Sequence, residues 1–225
     1  MGAWLEFHSD NKELVHRISA QKSLAMPTSV SPISLNKAEA LLYYGHYDEK
    51  RSDFSPFKLG QRWGSAPETH MLNDFDKLLV YLYSENYESL LKFSNLVKQS
   101  KERIEPPITQ LDKLKEIWEF ILPHRKLEIG SGAVNTFIPE KEEIKYNASY
   151  MSDGERVIFY IIGECLCAPP NGIIIIDEPE IHLHKSIQQR LWDKVEKKRP
   201  DCLFVYLTHD FDFAASRIKF HKNLP

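Results

Sequence analysis

Four consecutive isoleucines followed by two acidic residues restrict the fold of this chain more than any other feature. The segment from Gly172 to Pro179 reads Gly-Ile-Ile-Ile-Ile-Asp-Glu-Pro. A run that is apolar at every position suits a strand with both faces covered, as in the centre of a parallel sheet. The acids Asp177 and Glu178 then stand at the carboxyl end of that strand, where open α/β sheets bind their ligands. Taken alone, the run also fits an acidic turn after a buried strand.

Helix and strand patterns alternate on both sides of this run. Apolar spacing predicts helices at 152–167, at 186–198 and from Phe211 to Arg217, and a second buried strand at Leu203–Leu207. This order predicts an α/β fold with a parallel sheet and helices on its faces. Upstream, a small antiparallel meander is predicted from three short strand-like runs. These runs are Leu127–Ile129, Val134–Ile138 and Ile144–Tyr146.

The first half of the chain is patterned differently. Residues 4–7 and 14–19 alternate like short strands, which predicts antiparallel strands among loops. From Asn73 to about Arg103 apolar residues recur at helical spacing, with a break expected near 84–86, and a second helix runs from Leu111 to Pro123. The chain therefore divides into a β and loop region, an inserted helical arm or lid, and an α/β part. Their bounds are 1–72, 73–125 and 126–225.

Composition narrows the classes of function. The chain has 29 Lys and Arg against 32 Asp and Glu, a net charge of −3. It therefore lacks the overall positive charge of proteins that bind a nucleic-acid backbone, although the composition does not exclude a local basic surface. Three cysteines without a Cys-x-x-Cys pair argue against a disulfide framework and a zinc knuckle. No apolar run reaches the length that crosses a bilayer, and the first residues do not read as a signal peptide. A cytoplasmic protein with no membrane partner is expected.

Two further segments carry polar groups at the ends of predicted elements. In Met151-Ser152-Asp153-Gly154-Glu155, Ser152 and Glu155 have the spacing of a capping box, and free backbone N–H groups beside a glycine suit an anion. Thr208-His209-Asp210 follows the strand at 203–207. A well-capped helix and a structural histidine are the plainer interpretations of these two segments taken singly.

In this order the three segments resemble the signature motif, the Walker B strand and the switch of ABC-type ATPases. The details resemble the branch of OLD, RecF and SMC-like proteins more than transporter subunits. The resemblance implies that Asp177 helps to hold Mg²⁺, that Glu178 polarises the attacking water and that His209 contacts the γ-phosphate of ATP. Residues 152–155 would meet the nucleotide of a second subunit, in a homodimer of ATPase heads.

The segment Glu180-Ile-His182-Leu-His184 matches the D-loop of the same family, which crosses the dimer interface. Two histidines two residues apart also suit one side of a zinc site, but no third ligand stands nearby in the sequence. We therefore assign Glu180 and His182 to the D-loop. The basic residues that follow, from Lys194 to Arg199, are expected on a solvated helix face.

The phosphate-binding loop of such heads, Gly-x-x-x-x-Gly-Lys-Ser/Thr, does not occur in the sequence. We therefore expect a partial P-loop NTPase head, whose ATPase activity needs a loop supplied from elsewhere. Relatives in this branch act on DNA or in phage defence, often with a Toprim nuclease domain or partner, so these are the partners that the resemblance implies. The alternative is a non-catalytic head that serves as an interaction module for a complete ATPase.

Overall fold

Two three-stranded sheets organise the residues that the structure, a computed structural model, describes: 1–10, 12–100 and 102–218. The helices are α1 (Gly2–His8), α2 (Leu35–Tyr44), α3 (Phe75–Gln99), α4 (Gln110–Ile121), α5 (Asp153–Cys167), α6 (Lys185–Lys198) and α7 (Phe211–Ile218). The strands are β1 (Val15–Ile18), β2 (Lys126–Ile129), β3 (Val134–Phe137), β4 (Tyr146–Asn147), β5 (Ile173–Asp177) and β6 (Leu203–Leu207). Residues 219–225, the end of the predicted third part, lie outside the described residues.

The main sheet is parallel, in the order β1-β5-β6. Ile174 pairs with His16 on one side and with Phe204 on the other, so the isoleucine strand has a neighbour along both edges. The central parallel strand predicted from the sequence is therefore confirmed. Because all three strands run the same way, their carboxyl ends meet at one edge of the sheet.

Helix α5 lies in the middle of the hydrophobic core. Every residue from Val157 to Ala168 is buried, and the helix packs against α3, α4 and α6. A helix that is apolar on all sides needs such cover. The second sheet, β2-β3-β4, is antiparallel, as the sequence predicted for 126–150.

The strand predicted at 4–7 is wrong, because these residues belong to α1. Glu6 is 1% exposed and pairs with Arg17 and Lys58, which are distant in the sequence. The polar residue that suggested the exposed side of a strand is therefore a buried partner of two cations. The strand predicted at 14–19 exists as β1, but it pairs with β5 in parallel rather than in an antiparallel sheet. Val15 to Ile18 are all buried, so β1 has no solvent-exposed face.

Helix α3 runs without the break expected at 84–86. The hydroxyl of Ser84 donates to the carbonyl of Val80 and accepts from the N–H of Ile33, so this polar residue is satisfied inside a continuous helix. The first half of α3 and the apolar face of α4 share one core with α5. The division at 72 and 125 stays a prediction.

Candidate functional site

The two acids after the isoleucine run line one cleft at the end of the strand. Adjacent residues of a strand normally point to opposite faces. Glu178, however, has a left-handed backbone with φ +50°, and its N–H donates to the carbonyl of Leu207 at 2.7 Å. The strand thus ends at Asp177, and the left-handed backbone at Glu178 interrupts the alternation of side chains, so that both acids line the same cleft.

A cleft of about 780 Å³ opens at the carboxyl ends of β1, β5 and β6, and we call it the sheet-edge cleft. It brings together Asp177, Glu178 and His209, three residues that the sequence singled out. Four further lining residues matter for its chemistry: Arg17, Ser19, Gln21 and Thr208.

Arg17 is a site residue that the sequence analysis missed. Its Nη1 donates to Asp177 Oδ2 at 3.0 Å, its Nε to Glu6 Oε2 at 2.9 Å, and its guanidinium lies 3.9 Å from the ring centroid of Trp63. The side chain is 4% exposed. The available signal was a charged residue within the short strand-like segment Val-His-Arg-Ile. Buried charges of this kind persist when they are paired.

The ion pair on Asp177 continues into a buried network under β1. Lys58 Nζ lies 2.9 Å from Glu6 Oε1, and Arg62 Nη2 lies 3.2 Å from Asp74 Oδ2 and 3.4 Å from Glu164 Oε2. Burial raises the pKa of Glu6, but Lys58, Arg62 and Arg17 outweigh it and hold that pKa below its usual value. Glu6 is therefore ionised, and its charge is balanced within the protein.

His16 and Glu164 form a buried pair with an Nε2 to Oε2 distance of 2.7 Å. Burial, reinforced by Arg62 and Lys58, lowers the pKa of His16 well below 6.5. Burial and Asp74 raise the pKa of Glu164 well above 4.5. Both directions favour the uncharged forms, so the contact is a hydrogen bond between a carboxyl and an imidazole rather than an ion pair, and the imidazole tautomer sets which of the two donates.

The loop after β1 brings two more polar groups to the same edge. Gln21 is exposed in the sheet-edge cleft, and Lys22 Nζ donates to the carbonyl of Ser19 at 3.1 Å. Burial lowers the pKa of Lys22 to about 8, against the opposing influence of Asp177 and Asp74. Neither residue is predicted from the sequence, because nothing in the sequence shows that this loop reaches the end of β5.

The donors of the sheet-edge cleft fit a hard divalent cation only in part. Asp177, Glu178 and Gln21 offer the carboxylate and amide oxygens that Mg²⁺ prefers. Among the described residues, however, no group of three or more His, Cys, Asp or Glu is arranged to hold a metal. A cation here would need oxygens from water or from a phosphate ligand as well, which is the usual situation of Mg²⁺ at nucleotide sites.

A second cleft, of about 450 Å³, opens at the amino terminus of α5, and we call it the α5 cleft. The predicted capping box is present, since the Ser152 N–H donates to Glu155 Oε2 at 2.9 Å and the Glu155 N–H approaches Ser152 Oγ at 3.4 Å. Arg125 Nε lies 3.0 Å from Glu155 Oε1. The cleft is further lined by Gly154, His124, His182 and His184. Asp153 is exposed and pairs with Arg156.

Gly154 has no structural reason to be glycine. Its backbone is helical, and a Cβ added there would meet nothing within 4 Å. A glycine in a helix costs stability relative to alanine. No contact within the described residues therefore requires glycine here, and only a group that enters the α5 cleft from outside would.

The segment assigned to the D-loop connects the two clefts. Thr208 Oγ1 donates to Glu180 Oε1 at 2.8 Å, which ties the turn after β5 to the loop that carries His209. His182 is exposed, with φ +64°. His184 Nδ1 accepts from the N–H of Ser186 at 3.3 Å and so caps α6. His182 and His184 thus line the α5 cleft, away from Asp177.

None of the helices among the described residues has the length and apolar character to cross a membrane. The expectation of a solvated face from Lys194 to Arg199 is wrong for Arg199, which is 8% exposed. Its guanidinium binds the carbonyl groups at the end of α5. Lys194 and Lys198 both pair with Glu116 on α4.

Comparison with known proteins gives a family for this arrangement. A family model described as "AAA domain, putative AbiEii toxin, Type IV TA system" matches residues 40–212, more than half of the chain. A curated protein that the chain resembles is the "Retron Vc95 probable ATPase" of Vibrio cholerae serotype O1 biovar El Tor. It is 22% identical over 221 residues, an alignment that covers 79% of the chain and 42% of the relative. The chain thus spans about two fifths of the length of this curated relative.

Proposed function

This chain belongs to the AAA-domain family whose model it matches, and from that membership we propose that it supplies the hydrolytic acids of a P-loop ATPase. One observation carries the proposal. Asp177, Glu178 and His209 line a single cleft at the carboxyl ends of parallel strands, where α/β sheets bind their ligands. Asp177 and Glu178 stand at the end of β5 and His209 follows β6, so the pairing of these two strands brings the three residues together.

In the proposed reaction each of these residues has one task. Asp177 holds the divalent cation, Mg²⁺, that accompanies ATP, and Glu178 orients and polarises the water that attacks the γ-phosphate. His209 contacts the γ-phosphate from the loop after β6. Mg²⁺, when bound, supplies neutralisation of the charge on the phosphate oxygens. The exposed amide of Gln21 is a further group that this cleft offers to the water or the cation.

We assign the α5 cleft to the nucleotide of a second subunit. Ser152, Gly154 and Glu155 line a cleft that shares no lining residue with the sheet-edge cleft, so we assign the two clefts to different nucleotides. A dimer of two ATPase heads, with Ser152 and Gly154 of one facing the phosphates held by the other, uses both. Glu180 and His182 then belong to the segment that crosses between the heads. The unfilled space at Gly154 supports close approach of a ligand.

The finer parts of the proposal rest on the resemblance to the OLD, RecF and SMC-like branch. We place the protein in the cytoplasm, in DNA metabolism or phage defence, with DNA and a Toprim-type nuclease as candidate partners. The family description, which mentions a putative toxin of a toxin–antitoxin system, supports such a role over transport.

A second candidate function is a non-catalytic head that docks on a complete ATPase and offers Ser152 and Gly154 to its nucleotide. The observation that favours it is the sequence itself, since the 225 residues contain no Gly-x-x-x-x-Gly-Lys-Ser/Thr segment. Calorimetric titration of the chain alone with Mg-ATP tests this point. Both candidates predict no appreciable binding, because the phosphates lack their loop, and a micromolar dissociation constant would contradict both.

The two candidates differ in the effect of Glu178→Gln. In the complete ATPase, with the phosphate-binding loop in place, the proposed role of Glu178 predicts that ATP still binds while turnover falls by at least about 100-fold. Glu143→Gln, a change at an exposed carboxylate far from the cleft, is the matched control and should leave turnover unchanged. Full activity of the Glu178→Gln protein would remove the hydrolytic role and leave the interaction module.

A further inference from the structure

A third cleft, of about 740 Å³, lies beside α1, and we call it the α1 cleft. Its lining comes from α1, from Tyr44 at the end of α2 and from the segment 55–68. Glu68 lines both this cleft and the sheet-edge cleft, whereas Asp177 lines only the latter. Small-molecule sites in proteins are clefts of roughly 300–1,000 Å³, a range that includes the α1 cleft.

Aromatic and aliphatic side chains form the wall of the α1 cleft. Trp4 is 59% and Leu59 42% exposed, although both line a concave site. Trp4 and His8, one turn apart on α1, stack with ring centroids 6.2 Å apart and an angle of 13° between the ring planes. Because aromatic rings favour offset stacking on another flat ring, this wall suits a planar aromatic ligand.

Two charged side chains that line the α1 cleft are buried. Glu6 is 1% and Lys58 5% exposed. Glu6 Oε1 accepts from Trp63 Nε1 at 3.1 Å and lies 2.9 Å from Lys58 Nζ. Glu6 Oε2 accepts from Arg17 Nε at 2.9 Å. Both oxygens of Glu6 therefore already have donors within the protein.

Lys58 has one N–H group left for a ligand. An ammonium carries three N–H groups. Lys58 Nζ donates to the carbonyl of Val15 at 2.8 Å and faces Glu6, which accounts for two of them. Burial lowers the pKa of Lys58 more than Glu6 raises it, so the groups around the ammonium compensate its charge incompletely. A hydrogen-bond acceptor on a ligand would supply a further partner.

The exposed charges at the rim disfavour an anionic ligand. Glu13 and Glu68 line the α1 cleft on its exposed side, against the single exposed ammonium of Lys12. A ligand carboxylate would approach both of these acids in order to reach Lys58. The acceptor that fits this cleft is therefore an uncharged carbonyl group.

We propose that the α1 cleft binds an uncharged, planar aromatic molecule with a carbonyl group, which stacks on Trp4 and accepts a hydrogen bond from Lys58. Neither the phosphates of ATP nor a second subunit takes part, so this site goes beyond the proposed ATPase function. Ligands of about ten non-hydrogen atoms in a partly open cleft bind with dissociation constants on the order of 1 mM.

Coumarin, an uncharged fused-ring molecule with a carbonyl group, is the probe that tests the site. Its titration into the full chain is followed by the nuclear magnetic resonance signals of the indole N–H groups of the four tryptophans. The signal of Trp4 is identified by its loss in Trp4→Phe. We expect coumarin to shift this signal with a dissociation constant on the order of 1 mM. The signals of the buried Trp118 and Trp192, which lie outside the α1 cleft, should stay in place.

Variants of the wall test where coumarin stacks, with saturation transfer to coumarin as the readout. Trp4→Ala should weaken binding at least about 5-fold, because it removes a stacking face. Tyr87→Ala is the matched control, since Tyr87 is 58% exposed but lies on α3, outside the α1 cleft. Leu59→Ala is a second variant of the same wall and should weaken binding at least about 2-fold. Circular dichroism verifies that the variants are folded.

The hydrogen bond is tested by changing the ligand, because loss of Lys58 would leave the buried charge of Glu6 unbalanced. Indole, a fused ring of similar size with an N–H donor and no carbonyl group, should bind at least about 5-fold more weakly than coumarin. Coumarin-3-carboxylate, which adds a negative charge, should bind no more tightly than coumarin, because it approaches Glu13 and Glu68.

Several outcomes overturn the proposal. If the Trp4 signal does not move at ten times the expected dissociation constant, the cleft is not a site for this class of ligand. If Tyr87→Ala weakens binding as much as Trp4→Ala, coumarin adheres to exposed rings in general. Indole that binds as tightly as coumarin removes the role of Lys58, and a carboxylate that binds more tightly makes the ligand an anion. None of these results depends on ATP, so the proposed ATPase function stands or falls separately.

Discussion

At the scale of single residues, the two glycines of α5 illustrate how differently one residue type is used. Gly163 faces α3, and a Cβ there would come within 2.8 Å of a methyl group of Leu78, which is fully buried. Gly154 faces the α5 cleft and would meet nothing. The first glycine is required by packing inside the chain. The second is compatible with a requirement from outside it.

We predict opposite effects of the same substitution at these two positions. Gly154→Ala should leave the free energy of unfolding unchanged or raise it by up to about 1 kcal/mol, because alanine is the better helix former. Gly163→Ala should lower it by about 1–2 kcal/mol, since the methyl group overpacks the core. Urea unfolding followed by circular dichroism measures both. A destabilised Gly154→Ala would show that this glycine has an internal role.

At the scale of elements, Arg199 joins the ends of two helices. It follows α6, yet its Nη1 donates to the carbonyl oxygens of Cys165, Leu166 and Ala168 at 2.8, 3.0 and 2.9 Å, which are the orphan acceptors at the end of α5. Its Nη2 and Nε pair with Asp201. The planar guanidinium thus supplies hydrogen bonds to the last carbonyl groups of α5, a helix whose C-cap residue is Ala168 rather than glycine.

Replacing Arg199 with lysine should be costly even though the charge is kept. A single ammonium cannot reach three carbonyls and a carboxylate in fixed directions, so buried acceptors are left unpaired. We expect Arg199→Lys to lower the free energy of unfolding by about 2–3 kcal/mol. Arg190→Lys on the surface of α6, where the side chain donates to one carbonyl, is the control and should change it by less than about 0.5 kcal/mol. Equal effects of the two changes would contradict this account.

At the scale of the whole molecule, the buried network connects the core to the sheet-edge cleft. It joins α1, β1, α5 and the segment from Lys58 to Asp74, and it reaches Asp177 through Arg17. With Glu164 neutral, three cations face three carboxylates. The cations are Arg17, Lys58 and Arg62, and the carboxylates are Glu6, Asp74 and Asp177. Removing one member leaves a buried charge unbalanced, which is destabilising.

Two buried groups of this network make the free energy of unfolding depend on pH in opposite directions. Because burial lowers the pKa of His16, the unfolded chain takes up a proton near pH 6.5 that the folded protein does not, so the stabilising contribution of His16 falls as pH drops below 6.5. The slope reaches at most about 1.4 kcal/mol per pH unit. Glu164, whose pKa is raised, acts in the opposite direction, since its contribution is present below 4.5 and is lost as pH rises through its folded pKa. The two slopes oppose each other between pH 4.5 and 6.5, so this pair is expected to lower the stability of the wild-type chain in acid only below about pH 4.5.

The contribution of His16 can be isolated by comparison. Between pH 6.5 and 5, the stability of His16→Gln should rise relative to that of the wild-type chain, whereas His182→Gln, which removes an exposed histidine, should follow the wild-type profile. Chemical denaturation at each pH measures the difference. If wild type and His16→Gln have parallel profiles, the imidazole is protonated in the folded protein as well.

The local patterns of the sequence were sufficient for much of this fold. The four isoleucines predicted a central parallel strand, and β5 is that strand. The spacing of Ser152 and Glu155 predicted a capping box, and both of its hydrogen bonds are present. These features depend on residues a few positions apart, whose interactions are set by backbone geometry. The order of the three segments also led to a P-loop ATPase, the class to which the matched family belongs.

Only the tertiary structure decided which distant groups meet. The parallel partner of β5, the burial of Glu6, Arg17 and Arg199, and the separation of the α5 cleft from the sheet-edge cleft all depend on contacts between residues far apart in the chain. A charged side chain looks the same in a sequence whether it faces water or a buried partner. The sequence by itself determined where strands and helix starts deliver polar groups, and tertiary packing determined the charges around them.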